Sequence, residues 1–542
     1  MGAGCSGAWV CRVIDVIVVG SGAAGTWAAW QASQEGLSVL VLDVGLRPPA
    51  VPPLRGHLLD LRRSDPRQAE YLIGSGFESL HNVAGAYQSP KLNSPRFRFV
   101  TERAAVFGAL RGEGFSAVQS FARGGLAEAW GAGAYRFTGN DLRRFPLPAG
   151  CLEPFYDELT RRIGIAGSED DLVGHFGSAR DLQPPLSLDR LASRLLASYE
   201  RRRDRFRAEG FTIGRPRLAV LSRPLGERPA CPYDNLTFWQ PQLGYLYVPS
   251  LTLDALVAER RIEYRERKLV LRFREGEGHV EVLARDTAGG ADETYRARRL
   301  VLAAGALNSA RLVLRSHDDF ETTLPLLDNQ PSMVPFLHAG SVGESPDSSS
   351  HGLGQLNIVH QPPEGLDYVQ GTYYTYNGLL ASEVIIDFPL PARSAVAACR
   401  YLLPAFSVVT FFYPDEPRAG NFVRLCPDGS LLASYRQPVK TGGVERRFIR
   451  LMAGSGFLSH PTVVKVPAPG SGIHYAGTLP MQGERSLKHC TDPSGRLHGS
   501  RAVYVADASV FPTLPAKNHA LTLMANAMRV ARAVAASIRG AA

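Results

Sequence analysis

The sequence predicts an α/β protein in which a parallel sheet flanked by helices is interrupted by a second, sheet-based region. Three observations carry this. Residues 14–42 read as strand, glycine-rich turn, helix and strand. Residues 300–316 repeat the order strand, small-residue turn, helix. Between that unit and the C-terminus, residues 371–414 hold aromatic-rich, strand-like runs.

The first unit opens with IDVIVVG, residues 14–20, a β-branched apolar run of the kind that forms a strand buried on both faces. Gly20-Ser21-Gly22-Ala23-Ala24-Gly25 follows, then TWAAWQASQEG, a helix that starts on small residues. The next strand, LSVLVLDVG, carries Asp43 at its end. Gly20 permits the tight turn, Gly22 lets the backbone approach a pyrophosphate, and Gly25 lets the helix pack close to the sheet. Ala23 and Ala24 sit at the helix N-terminus, whose free N–H groups attract phosphate oxygens. Asp43 is placed to accept from ribose hydroxyls. Glycines alone would be weak evidence; the complete Rossmann-like unit is specific. Its position at the start of the chain favours FAD over NAD, because the rest of the chain must return to finish the fold.

The elements between the two ends are less distinctive. FPLPAGCLEPFYDELTRRIGIAG, residues 145–167, is a proline-bounded boundary followed by a helix. RIEYRERKLVLRF, residues 261–273, reads as one strand that would flank an adenine with Val270. LVLAAGALNSARLVLRS, residues 300–316, runs through Ala304 into a helix expected to start near Asn308-Ser309. GTYYTYNG (371–378), SEVIIDFPL (382–390) and FSVVTFFYP (406–414) read as strands whose aromatics are more often packing than substrate contacts.

Composition excludes several function classes. With 542 residues, 45% hydrophobic and 20% charged, the chain can build a core without disulfide or metal staples, and no metal site is expected. The seven cysteines are scattered, odd in number and without a C-x-x-C pair, which points to a reducing, cytoplasmic setting. The net charge of +9 comes from dispersed arginines set beside acids, as in Arg201-Arg202-Arg203-Asp204, so no nucleic-acid partner is expected. No stretch reaches the roughly 18 to 20 apolar residues of a membrane span, and residues 523–538 read as a packed helix rather than an anchor. The opening MGAGCS fits a myristoylation pattern formally but reads as a short leader.

Two C-terminal segments, GIHYAGTLPM (472–481) and YVADASVFPTLPAKNHALTLMANAMRVARAV (504–534), change the level of detail. With the N-terminal turn, they resemble the glucose–methanol–choline (GMC) family of FAD-dependent oxidoreductases. The matching residues are His474, Gly477, Thr478 and Met481, and the VADASVFPT stretch from 505 to 513. GALNSARLVLRS resembles the family's second signature, with Ala310 and His317 as departures. ARGGLAEAWGAGAYRF (122–137), which contains Gly125, resembles the flavin-proximal loop of the sugar-dehydrogenase-like branch. GNFVRLCPDGSLLASYR (420–436) resembles the strand pair of the substrate domain.

The resemblance implies a discontinuous FAD-binding domain (1–145, 215–330 and 465–542) and a substrate domain on an antiparallel sheet (146–214 and 331–464). Asp507 and Ala508 would run along the flavin's ribityl and pyrophosphate chain. The helix beginning near 518 would aim its N-terminus at the pyrimidine end of the ring, where reduction places negative charge. Some relatives bind FAD covalently through a histidine in the proximal loop. Ala129 occupies that position here, so the FAD is expected to be non-covalent.

The implied reaction is oxidation of the CH–OH group of a small alcohol, sugar or polyol by hydride transfer to flavin N5. It needs a base for the hydroxyl proton, worth about 10² to 10⁴ in rate. His474 matches that position. The family's second polar group lies four residues before a helix threonine as Asn, or three before it as His. With Thr522 as that threonine, Asn518 fits the first pattern and His519 the second. Successive helical residues diverge by about 100°, so one of the two is expected to face the substrate while the other starts the helix. The electron acceptor, O₂ or another carrier, is left open. Two alternatives stand beside this reading: a lyase on the same fold, with His474 as acid/base, and a flavin-binding protein without turnover.

Overall fold

The computed structural model describes residues 14–540 apart from 51–53, 55, 77, 81–88, 238, 240–242, 363–364, 376–387 and 437–441. The MGAGCS segment, residues 376–378 and most of the 382–390 run lie outside the described residues.

The first sheet is built on Ile14–Val19, which pairs in parallel with Val39–Leu42 on one side and with Asp292–Leu302 on the other. Glu263–Arg265 adds to Val39–Leu42 at the edge, again in parallel. Asp292–Leu302 is long and changes partners along its length. Its first half closes an antiparallel meander with Val280–Asp286 and Lys268–Glu275, and its end pairs with Val503–Val505 from the far C-terminus. The Ala23–Gln34 and Ala520–Arg539 helices pack together on one face, where Trp27 and Ala28 share a core with Met524, Ala525 and Met528. No helix among the described residues is long and apolar enough to cross a membrane.

A second sheet of six antiparallel strands runs in the order Phe457–Leu458, Pro331–His338, Phe406–Phe412, Val369–Thr375, Leu356–His360, Phe211–Gly214. Two amphipathic helices, Arg190–Arg201 and Gly443–Ala453, cover one of its faces through Leu195, Tyr199, Phe448 and Met452. The other face is turned toward the first sheet's loops and roofs a cavity.

Three details differ from the sequence reading. The 261–273 run is two strands, not one. Arg267 adopts a left-handed φ of 63° that breaks the strand, so Glu263–Arg265 joins Val39–Leu42 while Lys268–Glu275 turns to the meander. Val270 then sits at the register shift of that meander, which re-aims the chain as bulges do. The helix expected to start near Asn308-Ser309 begins two residues earlier, at Ala306, because Gly305 with φ 85° ends the strand. The 420–436 pair falls inside the range expected for the substrate domain. Its strands, Phe422–Leu425 and Leu431–Ser434, instead join Leu110–Glu113 and Leu324–Pro325, and Val423, Leu425 and Leu431 pack in one core with Ile17 and Leu302.

The helix that follows the glycine turn meets a tight steric demand at Gly25, where a Cβ would lie 1.9 Å from the Gly20 carbonyl oxygen. Neither atom can move without undoing the turn. Gly25→Ala is expected to cost on the order of 1–3 kcal/mol, read as a lower midpoint in denaturant unfolding.

Candidate active site

One cavity of about 1300 Å³ lies between the carboxyl ends of the parallel strands and the roof sheet. Open α/β sheets bind ligands at that end of the strands. Its volume exceeds the roughly 300–1,000 Å³ typical of a pocket for one small ligand, so a dinucleotide and a second molecule can share it. Gly20, Gly22, Ala23, Ala24, Asp43, Gly125, Val270, Ala304, Asp507 and Ala508 all line it, and so do His474, Asn518 and His519. Gly25 does not; it is spent on the helix–turn contact described above.

In the half bordered by the glycine turn, two loops distant in sequence press together. A Cβ on Gly125 would come within 3.0 Å of the Gly22 Cα. The Ser21 hydroxyl accepts from the Gly124 N–H at 3.0 Å and donates to the Asp43 carboxylate. Asp43 also accepts from the Tyr264 hydroxyl at 3.2 Å, and burial raises its pKa to about 6. Asp507 accepts from the Gly305 N–H at 2.8 Å and from the Ser309 hydroxyl, which ties the C-terminal strand to the start of the Ala306–Ser316 helix. A Cβ on Gly305 would meet nothing within 4 Å, so bare backbone opens into the cavity there. Lys268, Arg311 and Arg315 line the same cavity, and the buried Arg311 Nε is without a partner. Glycine backbone, a helix N-terminus, a buried carboxyl for a ribose and nearby cations together fit the diphosphate and ribose of FAD.

The other half holds His474. Ile473 before it adopts a left-handed φ of 58°, an uncommon conformation for a β-branched residue, and so presents the imidazole to the cavity. The Asn329 N–H donates to the His474 carbonyl at 3.0 Å. The Asn518 amide Nδ2 donates to His474 Nε2 at 3.2 Å. Phe412 lies against the ring, 4.7 Å between centroids, and His519 meets it nearly edge-on at 5.4 Å. Burial, with the like-charged His519 nearby, lowers the His474 pKa to about 3; burial lowers that of His519 to about 4. Nδ1 of each ring is buried without a partner.

Both members of the 518–519 pair therefore border His474, and neither starts the helix with its side chain. Ala520 is the first helical residue and His519 the N-cap position, yet His519 makes no side-chain capping bond. Asn518 precedes the helix, so the helical angle between neighbours does not govern where it points.

Sequence reading missed the residues that hold this arrangement. The Asn329 side chain donates to the carbonyls of Tyr413 at 2.8 Å and Pro515 at 3.1 Å, while its backbone holds His474. Lys517 is fully buried, pairs with Asp141 and donates to the Arg136 carbonyl at 3.2 Å. Asp141 also accepts from the Thr138 N–H at 2.7 Å and the Tyr368 hydroxyl at 2.6 Å. Gly133 leaves room for Asn518, whose Cγ would lie 3.2 Å from a Cβ there. One signal was available: lysine is rare in this arginine-rich chain, and Lys517 directly precedes the candidate pair.

Residues 462–527 match the GMC oxidoreductase family, and residues 15–47 match an FAD-binding domain. The chain carries a GMC oxidoreductase C-terminal domain. Its cofactor is FAD. The chain is 26% identical to a 6'''-hydroxyparomomycin C oxidase of Streptomyces lividus, over 97% of its own length and 92% of the relative's. It is 25% identical, with the same coverage of each chain, to a paromamine 6'-oxidase of Streptomyces fradiae. Its fold is similar to the crystal structure of pyridoxine 4-oxidase from Mesorbium loti, with a TM-score of 0.56 and 15% identity over 96% of this chain and 99% of that one.

Lys517→Met would leave the Asp141 carboxylate buried beside a methyl group. Breaking a buried pair from one side costs about 3–5 kcal/mol. The protein is therefore expected to lose stability by that order in denaturant unfolding, with a flavin-reduction rate below that of the wild type in whatever fraction folds.

Proposed function

We propose that the enzyme oxidises a CH–OH group of a small alcohol, with His474 taking the hydroxyl proton and Asn518 holding the hydroxyl oxygen. The observation that carries this is the 3.2 Å separation of His474 Nε2 and Asn518 Nδ2 on the wall of the cavity that the glycine turn also borders. Two polar atoms that far apart can each reach one shared oxygen at a hydrogen-bond distance of about 2.9 Å. When bound, FAD supplies an oxidised ring that accepts a hydride.

Asn518 donates to Nε2, which requires a lone pair there; that is the tautomer a base needs. Burial keeps His474 neutral, so it is ready to accept a proton at neutral pH. A weakly basic imidazole is sufficient here for a chemical reason. As the carbon loses its hydride, the hydroxyl becomes that of a protonated carbonyl and turns far more acidic. His519, edge-on to His474, opposes a lasting positive charge on it and so favours onward loss of the proton. Phe412 keeps the imidazole from tilting away.

The relatives named as oxidases support a redox reaction rather than the lyase alternative. Residues 146–214 and 331–464 are assigned to the substrate side, supported by the roof strands Phe211–Gly214 and Pro331–His338; the 420–436 pair is the exception. A cytoplasmic location is part of the same reading, supported by the odd, scattered cysteines. The electron acceptor is O₂ or another carrier.

His474→Gln is expected to slow anaerobic flavin reduction by about 10² to 10⁴ at unchanged FAD content; wild-type rates would remove His474 as the base. In the wild type, the lowered pKa keeps the imidazole in its active neutral form below the ordinary histidine value of about 6.5. The kcat/KM profile should accordingly stay level as pH falls through that value and decline only lower, whereas an acid limb at or above it would contradict the assignment. With Ala129 in the proximal loop, acid precipitation should leave the yellow chromophore in the supernatant. Colour that stays with the pellet would mean a covalent link elsewhere.

A further inference from the structure

We infer that the alcohol is apolar, aromatic or aliphatic, rather than a sugar, polyol or aminosugar; this narrows the function proposed above and rests on it. The observation is the cavity face of the roof sheet. Pro331–His338 and Phe406–Phe412 pair in the register Met333–Thr410, Pro335–Val408, Leu337–Phe406, and all six residues line the cavity. Their neighbours along each strand, Val334, Phe336, Val409 and Phe411, are buried on the opposite face in one core with Phe448. A sheet with one buried face and one accessible face normally alternates apolar with polar. Here five of the six accessible positions are apolar, so packing of the sheet does not account for them. Leu402 and Leu403 extend the same wall. A contiguous accessible apolar surface inside a cavity marks a ligand.

Charge points the same way. Among the described residues lining the cavity, the carboxylates are Asp43 and Asp507, both beside the glycine turn or the Gly305 backbone. An aminosugar would bring several ammonium groups against apolar strands, away from Asp43 and Asp507. A polyol would bring several hydroxyls against these apolar strands, each at a desolvation cost unless it meets a partner. An apolar alcohol brings one polar group, and His474 with Asn518 satisfies it.

The test is anaerobic titration of the FAD-loaded enzyme with benzyl alcohol, a series of straight-chain alcohols from butanol to decanol, glucose, glycerol and paromamine. Calorimetry reports binding and flavin absorbance reports reduction. The apolar alcohols should bind with a negative heat-capacity change, and dissociation constants should fall about fourfold for each added methylene until the cavity is filled. Val408→Asp should weaken the straight-chain series more than tenfold. If that variant does not fold, the wild-type chain-length series decides by itself. Flat chain-length dependence, no binding by any apolar alcohol, or tighter binding of glucose or paromamine would overturn the inference. Failure of the underlying reading looks different. Apolar alcohols that bind with the expected series but leave the flavin oxidised would refute oxidation and keep the binding class. A sugar or aminosugar that bleaches the flavin faster than the apolar series would keep oxidation and refute the class.

Discussion

The site depends on one buried asparagine. Asn329, fully enclosed, holds the His474 backbone through its own N–H and the Pro515 carbonyl through its side chain. His474 and Asn518 belong to different loops, and a contact of 3.2 Å between their side chains survives only if both loops share a fixed reference. Asn329 is that reference, and it is anchored in turn to the end of a roof strand through the Tyr413 carbonyl. Each of these buried carbonyls would cost about 1–3 kcal/mol if left without a donor. The same bonds that position His474 and Asn518 therefore also join the roof to the C-terminal loop.

The Lys517–Asp141 pair does the corresponding work from the other side. It fixes the residue next to Asn518 against the 136–141 segment, which follows the loop that contacts the glycine turn. Thr522, in the first turn of the C-terminal helix, bonds the Tyr156 hydroxyl at 2.8 Å and accepts from the Phe137 N–H at 3.2 Å. The start of that helix is thus held by ionic and neutral bonds, all away from water. This explains how a helix whose N-cap side chain makes no capping bond still begins at a defined place. The two histidines that flank the cavity are consequently free of structural bonding at Nδ1 and are kept uncharged chiefly by burial, with His519 adding to the effect at His474.

The roof sheet shows a different division of labour. One face is packed under two helices and supplies stability; the opposite face, equally apolar, meets the cavity. A strand that is apolar on both faces cannot report from sequence which face is core and which is ligand surface, since the two look alike without knowledge of what lies opposite.

The amino-acid sequence by itself determined the strand–turn–helix–strand unit at residues 14–42, which lies in the segment matching an FAD-binding domain. A tight turn, a close backbone approach and a helix N-terminus each require particular small residues at fixed local spacing, so Gly20, Gly22, Gly25 and Asp43 were legible within a single thirty-residue unit. The C-terminal motif around His474 and the 518–519 pair was legible in the same way, as candidates without a geometry. Only the tertiary structure decided how they meet: that Asn518 bonds His474 while His519 approaches it edge-on, that Arg267 splits one apparent strand in two, and that the 420–436 pair joins a small separate sheet packed in one core with the first. These outcomes are set by contacts between residues tens to hundreds of positions apart. Asn329, Lys517 and Asp141 carry no local pattern, because their role lies in partners that the fold, and not the neighbouring sequence, brings within reach.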